Sequence, residues 1–301
     1  MKNTLIVLLG PTAVGKTDVS IDLAKHFGCE IISSDSRQFY REMKIGTAVP
    51  DEGQLQSVPH HLIGFLSIKE YYSSSRYEQN VLNLLPGLFS RNPIVILAGG
   101  SGMYIDAVCS GIDDIPDIDN EIREKYLKKY REEGIESLRV ELKLLDPVHY
   151  ENVDLKNPKR IIRALEICES AGRPYSSFLK KIKRERDFAI IKIGLQIPRE
   201  KLNERIDSRV DKMIAEGLEK EARSLYEYRH LNSLLTVGYR ELFGYFDGLT
   251  DRDEAIRLIK RNTRRFAKRQ MTWWARDKEI VWFSPENVRE IIEYIEGRKS
   301  Q

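Results

Sequence analysis

A glycine loop near the N-terminus constrains the fold of this chain more than any other feature. Residues 10–17 read GPTAVGKT and match the spacing G-x-x-x-x-G-K-[ST]. The loop follows the apolar run Thr4–Leu9 and precedes the helical pattern Asp18–Phe27, which is the context that a phosphate-binding loop requires. Its N–H groups and the helix N-terminus favour a diphosphate or triphosphate, Lys16 adds a charge, and the Thr17 hydroxyl is a ligand for Mg²⁺. An accidental glycine turn is the alternative, and the flanking strand and helix argue against it.

Short apolar runs alternate with helical patterns along much of the chain. The predicted strands are Thr4–Leu9, Glu30–Ser33, Pro93–Ala98 and Ile190–Gln196. Such alternation is typical of βαβ units on a parallel sheet. The pattern is helical from residue 121 to about 182, and again over Arg199–Tyr228 and Asp253–Asp277.

Two connections divide the chain. An acidic, proline-containing connection at Asp113–Asp117 predicts a domain boundary, and the basic run Lys180–Arg186 predicts a solvated connection. We therefore predict an α/β fold, with a parallel-sheet core of the P-loop NTPase type, a mainly helical insertion domain and C-terminal helices. The predicted limits are 1–115 for the first part of the core, 116–186 for the insertion and 187–301 for the second part of the core.

The charge is nearly balanced over the whole chain but concentrated in one segment. Lys and Arg number 49 against 46 Asp and Glu, so the net charge of +3 predicts no general attraction to polyanions. Residues 255–278, however, hold nine Lys and Arg and one acid, Asp277. This local excess predicts a phosphate-binding track, for which Arg264, Arg265, Lys268 and Arg269 are the candidate contacts. Trp273 and Trp274 at its end are more simply read as core residues.

The expected location is the cytoplasm. The run Leu5–Leu9 ends in the glycine loop and predicts a buried strand instead of a signal peptide, and no stretch has the length of a transmembrane helix. The three cysteines, Cys29, Cys109 and Cys168, lie far apart without metal-ligand spacing, which favours a reducing compartment and no structural zinc. We expect a monomer that does not bind membranes.

Two further segments follow predicted strands. Ser33–Gln38 lies at the carboxyl end of the second strand, where parallel sheets place their ligand-binding residues, so Asp35 should face the phosphate loop. An Asx turn or a helix cap is an equally good interpretation of Asp35. The run Ile94–Ala98 ends in Gly99–Gly102 and not in the acidic residue of a Walker B strand, which counts against a motor-type NTPase.

Seven further motifs carry a specific resemblance. They are D-S-R-Q-F-Y at 35–40, I-G-T-A at 45–48, H-H-L at 60–62, G-G-S-G-M-Y at 99–104, R-A-L-E at 163–166, V-G-Y-R-E at 237–241 and T-R-R-F-A-K-R-Q-M-T-W at 263–273. With the loop at 10–17 and in this order, they are much more specific than the loop alone. The chain resembles the tRNA isopentenyltransferase family, the bacterial tRNA dimethylallyltransferases.

The resemblance implies transfer of a dimethylallyl group from dimethylallyl diphosphate to N6 of the adenosine at position 37, in the anticodon stem-loop of tRNA. It implies that Asp35 removes the N6 proton and that Thr12 and Arg209 contact the diphosphate, with Mg²⁺ at Thr17. The implied diphosphate-binding residues are Gly10, Pro11, Thr12, Ala13, Val14, Gly15, Lys16, Thr17 and Arg209. From its surroundings alone, Arg209 would be read as a surface partner of Glu204 or Asp211.

The resemblance also implies a set of tRNA contacts, to which the basic segment adds its four residues. The implied contacts are Asp35, Ser36, Arg37, Gln38, Ser101, Arg123, Lys159, Arg160, Ile161, Ile162, Arg163, Gly238 and Arg240. Neighbouring residues on a strand point to opposite faces, so His60 and His61 are read as structural residues and not as a metal pair.

The chain departs from the family pattern at three positions, and two other functions compete with prenyl transfer. Ser101 replaces a Thr and keeps the hydroxyl, Val14 replaces a small residue, and Gly64 stands where Asp is common, which puts a polar contact in doubt. A small-molecule or nucleoside kinase would share the phosphate loop but would not need the basic segment. A non-catalytic RNA-binding module would not need Lys16 and Asp35.

Overall fold

A parallel sheet forms the centre of the larger part of the fold. The computed structural model of the protein describes residues 2–113, 115–116, 120–180 and 183–299. Within these residues the sheet has six strands in the order β3-β2-β4-β1-β5-β6, and every pairing between neighbours is parallel. The strands are β1 (Thr4–Leu9), β2 (Ile31–Ser34), β3 (His60–His61), β4 (Ile94–Gly99), β5 (Ala189–Leu195) and β6 (Val281–Phe283).

Helices occupy most of the remaining chain. They are α1 (Lys16–Phe27), α2 (Glu52–Ser57), α3 (Ser74–Phe89), α4 (Gly102–Ser110), α5 (Asn120–Leu145), α6 (Pro147–Asn152), α7 (Pro158–Ala171), α8 (Arg199–Ala215), α9 (Leu218–Ser224), α10 (Tyr239–Phe246), α11 (Arg252–Trp274) and α12 (Val288–Lys299). Short 3₁₀ turns lie at Tyr175–Phe178, Tyr226–Tyr228 and Asn232–Leu234. No helix in the described part of the chain combines the length and the apolar character needed to cross a lipid bilayer.

The chain divides into two compact units. The larger unit contains residues 1–110 and 185–301, and the smaller unit contains residues 111–184. The predicted boundaries, after residues 115 and 186, lie a few residues from these limits. Residues 114 and 117 of the acidic connection, and residues 181 and 182 of the basic one, lie outside the described residues.

Both faces of the sheet are covered by helices. Alternate residues of β1 face opposite sides: Ile6 and Leu8 pack in the layer that contains α1 and α12. Leu5 and Val7 pack in the layer that contains α3 and α4. All six residues of β1 are buried. Burial on both faces explains why β1 is a continuous apolar run instead of an alternating pattern.

The carboxyl ends of three central strands meet at one edge of the sheet. In the register of the sheet, Gly99 of β4 pairs with Leu9 of β1 on one side and with Ser34 of β2 on the other. The segments that follow these strands, at 10–15, 35–38 and 100–101, therefore lie side by side. This arrangement confirms the prediction that Asp35 faces the phosphate loop, because Asp35 lines one small cavity together with Lys16 and Thr17.

The predicted helical stretch Arg199–Tyr228 is helical and is divided into separate elements. Gly217 takes a left-handed conformation with φ of 102°, which ends α8 and starts α9 in a new direction. A helical residue requires negative φ, and glycine adopts the opposite sign at little steric cost. The last part of the predicted helix is a 3₁₀ turn at Tyr226–Tyr228.

The smaller unit is a helical assembly with its own core. α5 and α7 pack around Tyr126, Leu138, Leu142 and Leu165, and α5 bends at Gly134, where the backbone leaves the helical region. The carboxylate of Asp146 is fully buried and accepts hydrogen bonds from the N–H of His149 and from the N–H and hydroxyl of Ser176. These bonds fix the chain before α6 and the turn after α7.

Candidate active site

A cavity of about 310 Å³ is lined by the segments that follow β1, β2 and β4. It brings together many residues that the sequence singled out: Thr12, Asp35, Ser36, Arg37, Ser101, Arg209, Gly238, Arg240 and Arg269. A smaller cavity of about 50 Å³ is lined by Lys16, Thr17 and Gln38, and Asp35 lines both cavities. One carboxylate therefore stands between the phosphate loop and the larger cavity.

Lys16 is held inside its own loop. Its ammonium donates hydrogen bonds to the carbonyl oxygens of Gly10 (2.9 Å) and Pro11 (2.8 Å). An ammonium has three N–H donors, so one remains for a ligand. Burial lowers the pKa of Lys16 to about 7, while the carboxylate of Asp35 raises it and Arg209 lowers it. The charge on this lysine thus changes near neutral pH.

The helix that follows the loop offers further donors. α1 begins at Lys16, and its N-cap residue, Gly15, has no side chain to bond the first N–H groups of the helix. These N–H groups also lack carbonyl partners within the helix. They form an anion site together with the positive end of the helix dipole.

Arg209 on α8 lies in the cavity and not in a surface ion pair. Burial lowers the pKa of its guanidinium, and Asp35 opposes that shift by its negative charge. Asp211, a partner expected from the sequence alone, instead accepts from Lys260 at 2.8 Å. Two cations, Lys16 and Arg209, therefore flank the carboxylate of Asp35.

The loop of Asp35 is fixed by its neighbours. Oδ1 of Asp35 accepts the N–H of Arg37 at 3.0 Å, which is an Asx turn. Oγ of Ser101 accepts the N–H of Ser36 at 2.9 Å and donates to the Ser36 hydroxyl at 3.1 Å. The two interpretations of Asp35 are thus compatible: one oxygen shapes the turn while the residue lines the cavity.

Part of the lining of the larger cavity is apolar. Its lining includes the buried side chains of Val210, Met213, Leu218 and Ile259 and the half-exposed ring of Phe266. A cavity lined by both charged and aliphatic side chains suits a ligand with a charged head and a small hydrocarbon tail.

His60 and His61 have different surroundings. His61 Nε2 lies 2.7 Å from Glu30, which confirms a structural role for this residue. His60 lines the small cavity, and its Nδ1 lies 2.8 Å from the carbonyl oxygen of Val58. A carbonyl only accepts, so Nδ1 carries the proton; burial lowers the pKa of His60 and keeps the ring neutral at pH 7.

Much of the basic segment is neutralised by acids from other parts of the chain. Four of its members form ion pairs: Arg257 with Glu254, Lys260 with Asp211, Arg264 with Asp207 and Arg276 with Asp106. Arg265, Lys268 and Arg269 are exposed, and among the described residues no carboxylate lies within ion-pairing distance of them. Part of the predicted phosphate track is therefore paired within the chain, since Arg264 forms an ion pair with Asp207.

The two tryptophans at the end of the segment differ in exposure. Trp274 is buried, as predicted. Trp273 is 36% exposed; its Nε1 donates to Asp106 at 3.1 Å, and the Arg276 guanidinium lies 4.0 Å from its ring centroid. The prediction that both belong to the core is wrong for Trp273.

The predicted contacts of the smaller unit form a separate group on α5 and α7. Lys159 and Arg160 are exposed at the start of α7. Arg123 and Arg163 lie 3.9 and 3.7 Å from the buried carboxylate of Glu166.

Ile161 and Ile162 are core residues of the smaller unit. Their side chains are 0% and 5% exposed and pack between α5 and α7. The expectation that they contact RNA is therefore wrong for the side chains, since burial inside the helix pair leaves no surface for a ligand.

The substitution Ile162→Val tests this assignment. Removing one buried methylene is expected to lower the free energy of unfolding by about 0.5–1.5 kcal/mol. The affinity for tRNA should stay within twofold. Thermal denaturation and filter binding measure the two quantities, and a loss of affinity without a loss of stability would contradict the core assignment.

Sequence reasoning missed Glu221, which positions one wall of the larger cavity. Its carboxylate accepts the N–H groups of Lys44 (2.9 Å), Ile45 (2.8 Å) and Gly46 (2.9 Å) and the hydroxyl of Tyr239 (2.6 Å). Gly46 and the residue after it line the cavity. A glutamate on a helix has no local signal for such a role, because its three backbone partners lie 175 to 177 residues earlier.

Comparison with known sequences identifies the family. A profile described as IPP transferase matches residues 38–277. The chain belongs to the IPP transferase family. Curated members similar to it are tRNA dimethylallyltransferase 1 of Bacteroides thetaiotaomicron, 56% identical over 97% of this chain and 95% of the relative, and tRNA dimethylallyltransferase of Christiangramia forsetii, 51% identical over 99% of both.

Solved structures of this family have the same fold. The full-length tRNA isopentenylpyrophosphate transferase of Bacillus halodurans is 36% identical, with a TM-score of 0.71 over 98% of this chain and 96% of that one. A eukaryotic dimethylallyltransferase described as acting on tRNA is 27% identical, with a TM-score of 0.78 over 94% of this chain and 74% of that one. These comparisons confirm the predicted family and fold class.

Proposed function

We propose that this chain transfers a dimethylallyl group from dimethylallyl diphosphate to N6 of the adenosine at position 37 of tRNA and releases diphosphate. The observation that supports this most is the shared position of Asp35, which lines both the cavity of the phosphate loop and the larger cavity. A base placed there reaches an acceptor in one cavity while the leaving group is held at the other. The names of the similar proteins support the same reaction.

Asp35 acts as the general base. The N6 amine attacks the allylic carbon, the bond between that carbon and oxygen breaks, and the electron pair leaves with the diphosphate. The N6 proton passes to the carboxylate of Asp35. Its Oδ1 is bonded to Arg37 N–H, so Oδ2 is the oxygen that we assign to the proton. The adenine must leave the base stack to reach this position, as in other enzymes that modify bases.

The diphosphate is held by the loop and by two cations. The first N–H groups of α1, the third N–H of Lys16, the hydroxyl of Thr12 and the guanidinium of Arg209 surround the place where negative charge develops. Donors that are fixed in position before the reaction stabilise such charge without reorganising during it. The aliphatic lining residues Val210, Met213 and Ile259 receive the hydrocarbon chain.

The residues of the small cavity fit Mg²⁺. This ion prefers oxygen ligands and is often held by one or two protein groups together with substrate phosphates. The hydroxyl of Thr17 lines this small cavity beside the loop. No cluster of three or more His, Cys, Asp or Glu suited to a metal occurs in the described residues, so the diphosphate would supply the other ligands. Bound Mg²⁺ neutralises charge on the leaving diphosphate.

RNA binds through exposed cations on both units. On α11, Arg265, Lys268 and Arg269 share one helix face, three and four residues apart. On α7, Lys159 and Arg160 are the exposed pair. These side chains suit the phosphates of an anticodon stem-loop.

The substitution Arg160→Ala tests the contact on α7. Loss of one phosphate contact is expected to reduce the slope of log affinity against log salt by about 0.7–0.9. The matched control is Arg289→Ala, which removes one exposed charge from α12 and should leave the slope unchanged. Titration of tRNA at several salt concentrations measures both slopes, and equal slopes in Arg160→Ala and the unaltered protein would rule out the contact.

The proposed function is tested by incubation with unmodified tRNA, dimethylallyl diphosphate and Mg²⁺, followed by mass analysis of the nucleosides. We expect adenosine to gain one dimethylallyl group. A parallel reaction with ATP in place of the prenyl donor distinguishes a kinase, which would transfer phosphate. No prenylated adenosine with any tRNA tested would overturn the proposal.

A further inference from the structure

Gln270, near the end of α11, joins two loops of the active site. Its side chain is buried, with 7% of the residue exposed. Its Oε1 accepts the N–H of Thr12 at 2.9 Å, and its Nε2 donates to the carbonyl oxygen of Gly100 at 2.8 Å. We propose that Gln270 is a positioning residue, which holds the diphosphate contact Thr12 at a fixed distance from the base Asp35. This inference rests on the proposed function for its catalytic readout.

The amide group of Gln270 is suited to these two partners. The Thr12 N–H can only donate and the Gly100 carbonyl can only accept, so a single orientation of the amide satisfies both. A carboxylate would turn an acceptor toward the carbonyl oxygen, and an apolar side chain would leave both backbone groups without partners. Buried backbone groups without partners are rare in folded proteins.

The link from Gln270 reaches Asp35 through Ser101. Ser101 follows Gly100 directly, and its Oγ accepts the N–H of Ser36 at 2.9 Å. Ser36 is the neighbour of Asp35 in the chain. Gln270 thus fixes Thr12 on one side and, through Gly100 and Ser101, the loop of the base on the other.

The helix that carries Gln270 also lines the larger cavity. Arg269, which precedes it, and Phe266, one turn earlier, both line the larger cavity. α11 therefore lines the larger cavity and, through Gln270, holds the phosphate loop. Small errors in the placement of reacting groups reduce rates strongly, by up to about 10²-fold for about 1 Å.

The space around Gly100 provides an independent way to test the contact. A Cβ at position 100 would lie 2.4 Å from Gln270 Nε2, whereas its next neighbours, Gln270 Cδ and the Gly10 carbonyl oxygen, would lie at 3.7 and 3.8 Å. The Gln270 amide is therefore the group that a side chain at position 100 would displace. Gly100→Ala should disturb the same contact from the opposite side.

The experiment is a double-mutant cycle with Gly100→Ala and Gln270→Ala, and with Thr272→Ala as an exposed control on the same helix. Each active-site variant is expected to slow single-turnover prenyl transfer by about tenfold or more. Gly100→Ala should cost less than about twofold when Gln270 is already Ala, because the clash is absent. Affinity for tRNA should stay within twofold throughout, and Thr272→Ala should behave as the unaltered protein.

The near-isosteric variant Gln270→Met separates positioning from general stability. We expect it to lose transfer rate at a temperature well below its Tm while keeping its tRNA affinity. A lowered Tm with an unchanged single-turnover rate would overturn the proposal, and so would additive losses in the cycle. Calorimetry also gives the Kd of inorganic diphosphate for Gly100→Ala, Gln270→Ala and the double variant. We expect each single variant to bind diphosphate more weakly, and the two losses to be non-additive in the double variant. If the unaltered protein transfers no prenyl group, the proposed function fails. The Kd of diphosphate then still tests whether Gln270 positions the phosphate loop.

Discussion

Replacing Asp35 with Asn is expected to slow single-turnover prenyl transfer by about 10²–10⁴-fold, the usual contribution of a general base. The amide keeps an oxygen that can accept the N–H of Arg37, which Asp35 bonds at 3.0 Å, so the loop should retain its shape. It cannot take the N6 proton. The loss should therefore appear in the chemical step, and tRNA affinity should be nearly unchanged.

The measurement must allow for the second effect of this carboxylate. Asp35 raises the pKa of Lys16, so its removal would lower that pKa below about 7 and discharge the lysine more readily. Rates are therefore compared at saturating prenyl donor and at a pH well below 7, where Lys16 stays charged in both proteins. Asp22→Asn, an exposed change on α1, is the matched control. A near-normal rate in Asp35→Asn would leave Asp35 as an orienting group only.

The phosphate-loop part of the site could be predicted from the sequence, because the residues that indicate it lie close together in the chain. The strand Thr4–Leu9 is observed with its predicted limits, and the helix after the loop begins two residues earlier than predicted. The position of Asp35 follows from a rule of parallel sheets, in which the carboxyl ends of neighbouring strands meet at one edge. Neither prediction needed a contact between distant parts of the chain.

The groups that hold the site together could not be predicted, since their partners are distant in sequence. Gln270 bonds to Thr12 across 258 residues, and Glu221 holds Gly46 across 175. The ion pairs of the basic segment could not be predicted for the same reason, because Asp207 and Asp211 on α8 pair with two of its cations. The break at Gly217 was missed because one glycine in a helical pattern is also compatible with a continuous helix.

Replacing Lys16 with Met is expected to reduce kcat/KM for the prenyl donor by about 10²–10³-fold, the usual cost of removing one fixed donor from a developing negative charge. Its ammonium lies between the carbonyls of Gly10 and Pro11, on the side of the small cavity. The exposed cations of α7 and α11 are separate groups, so tRNA affinity should be unchanged. Lys25→Met, an exposed change on α1, is the control. Equal losses of donor and tRNA binding would contradict this separation.

The pH dependence of diphosphate binding identifies Lys16 more specifically than the loss of rate. Burial lowers the pKa of Lys16 to about 7, so above that pH the free protein holds a neutral amine. A diphosphate binds the charged form, and binding at pH 8 must therefore take up a proton. The ratio of the diphosphate affinity of the unaltered protein to that of Lys16→Met should fall by up to about tenfold per pH unit above 7. Both proteins are measured at the same pH, so the ionisation of diphosphate itself cancels in this ratio. Calorimetry at pH 8 in two buffers of different ionisation enthalpy measures the number of protons taken up on diphosphate binding. We expect the unaltered protein to take up close to one proton more than Lys16→Met. Equal proton uptake by the two proteins would show that another group carries the charge.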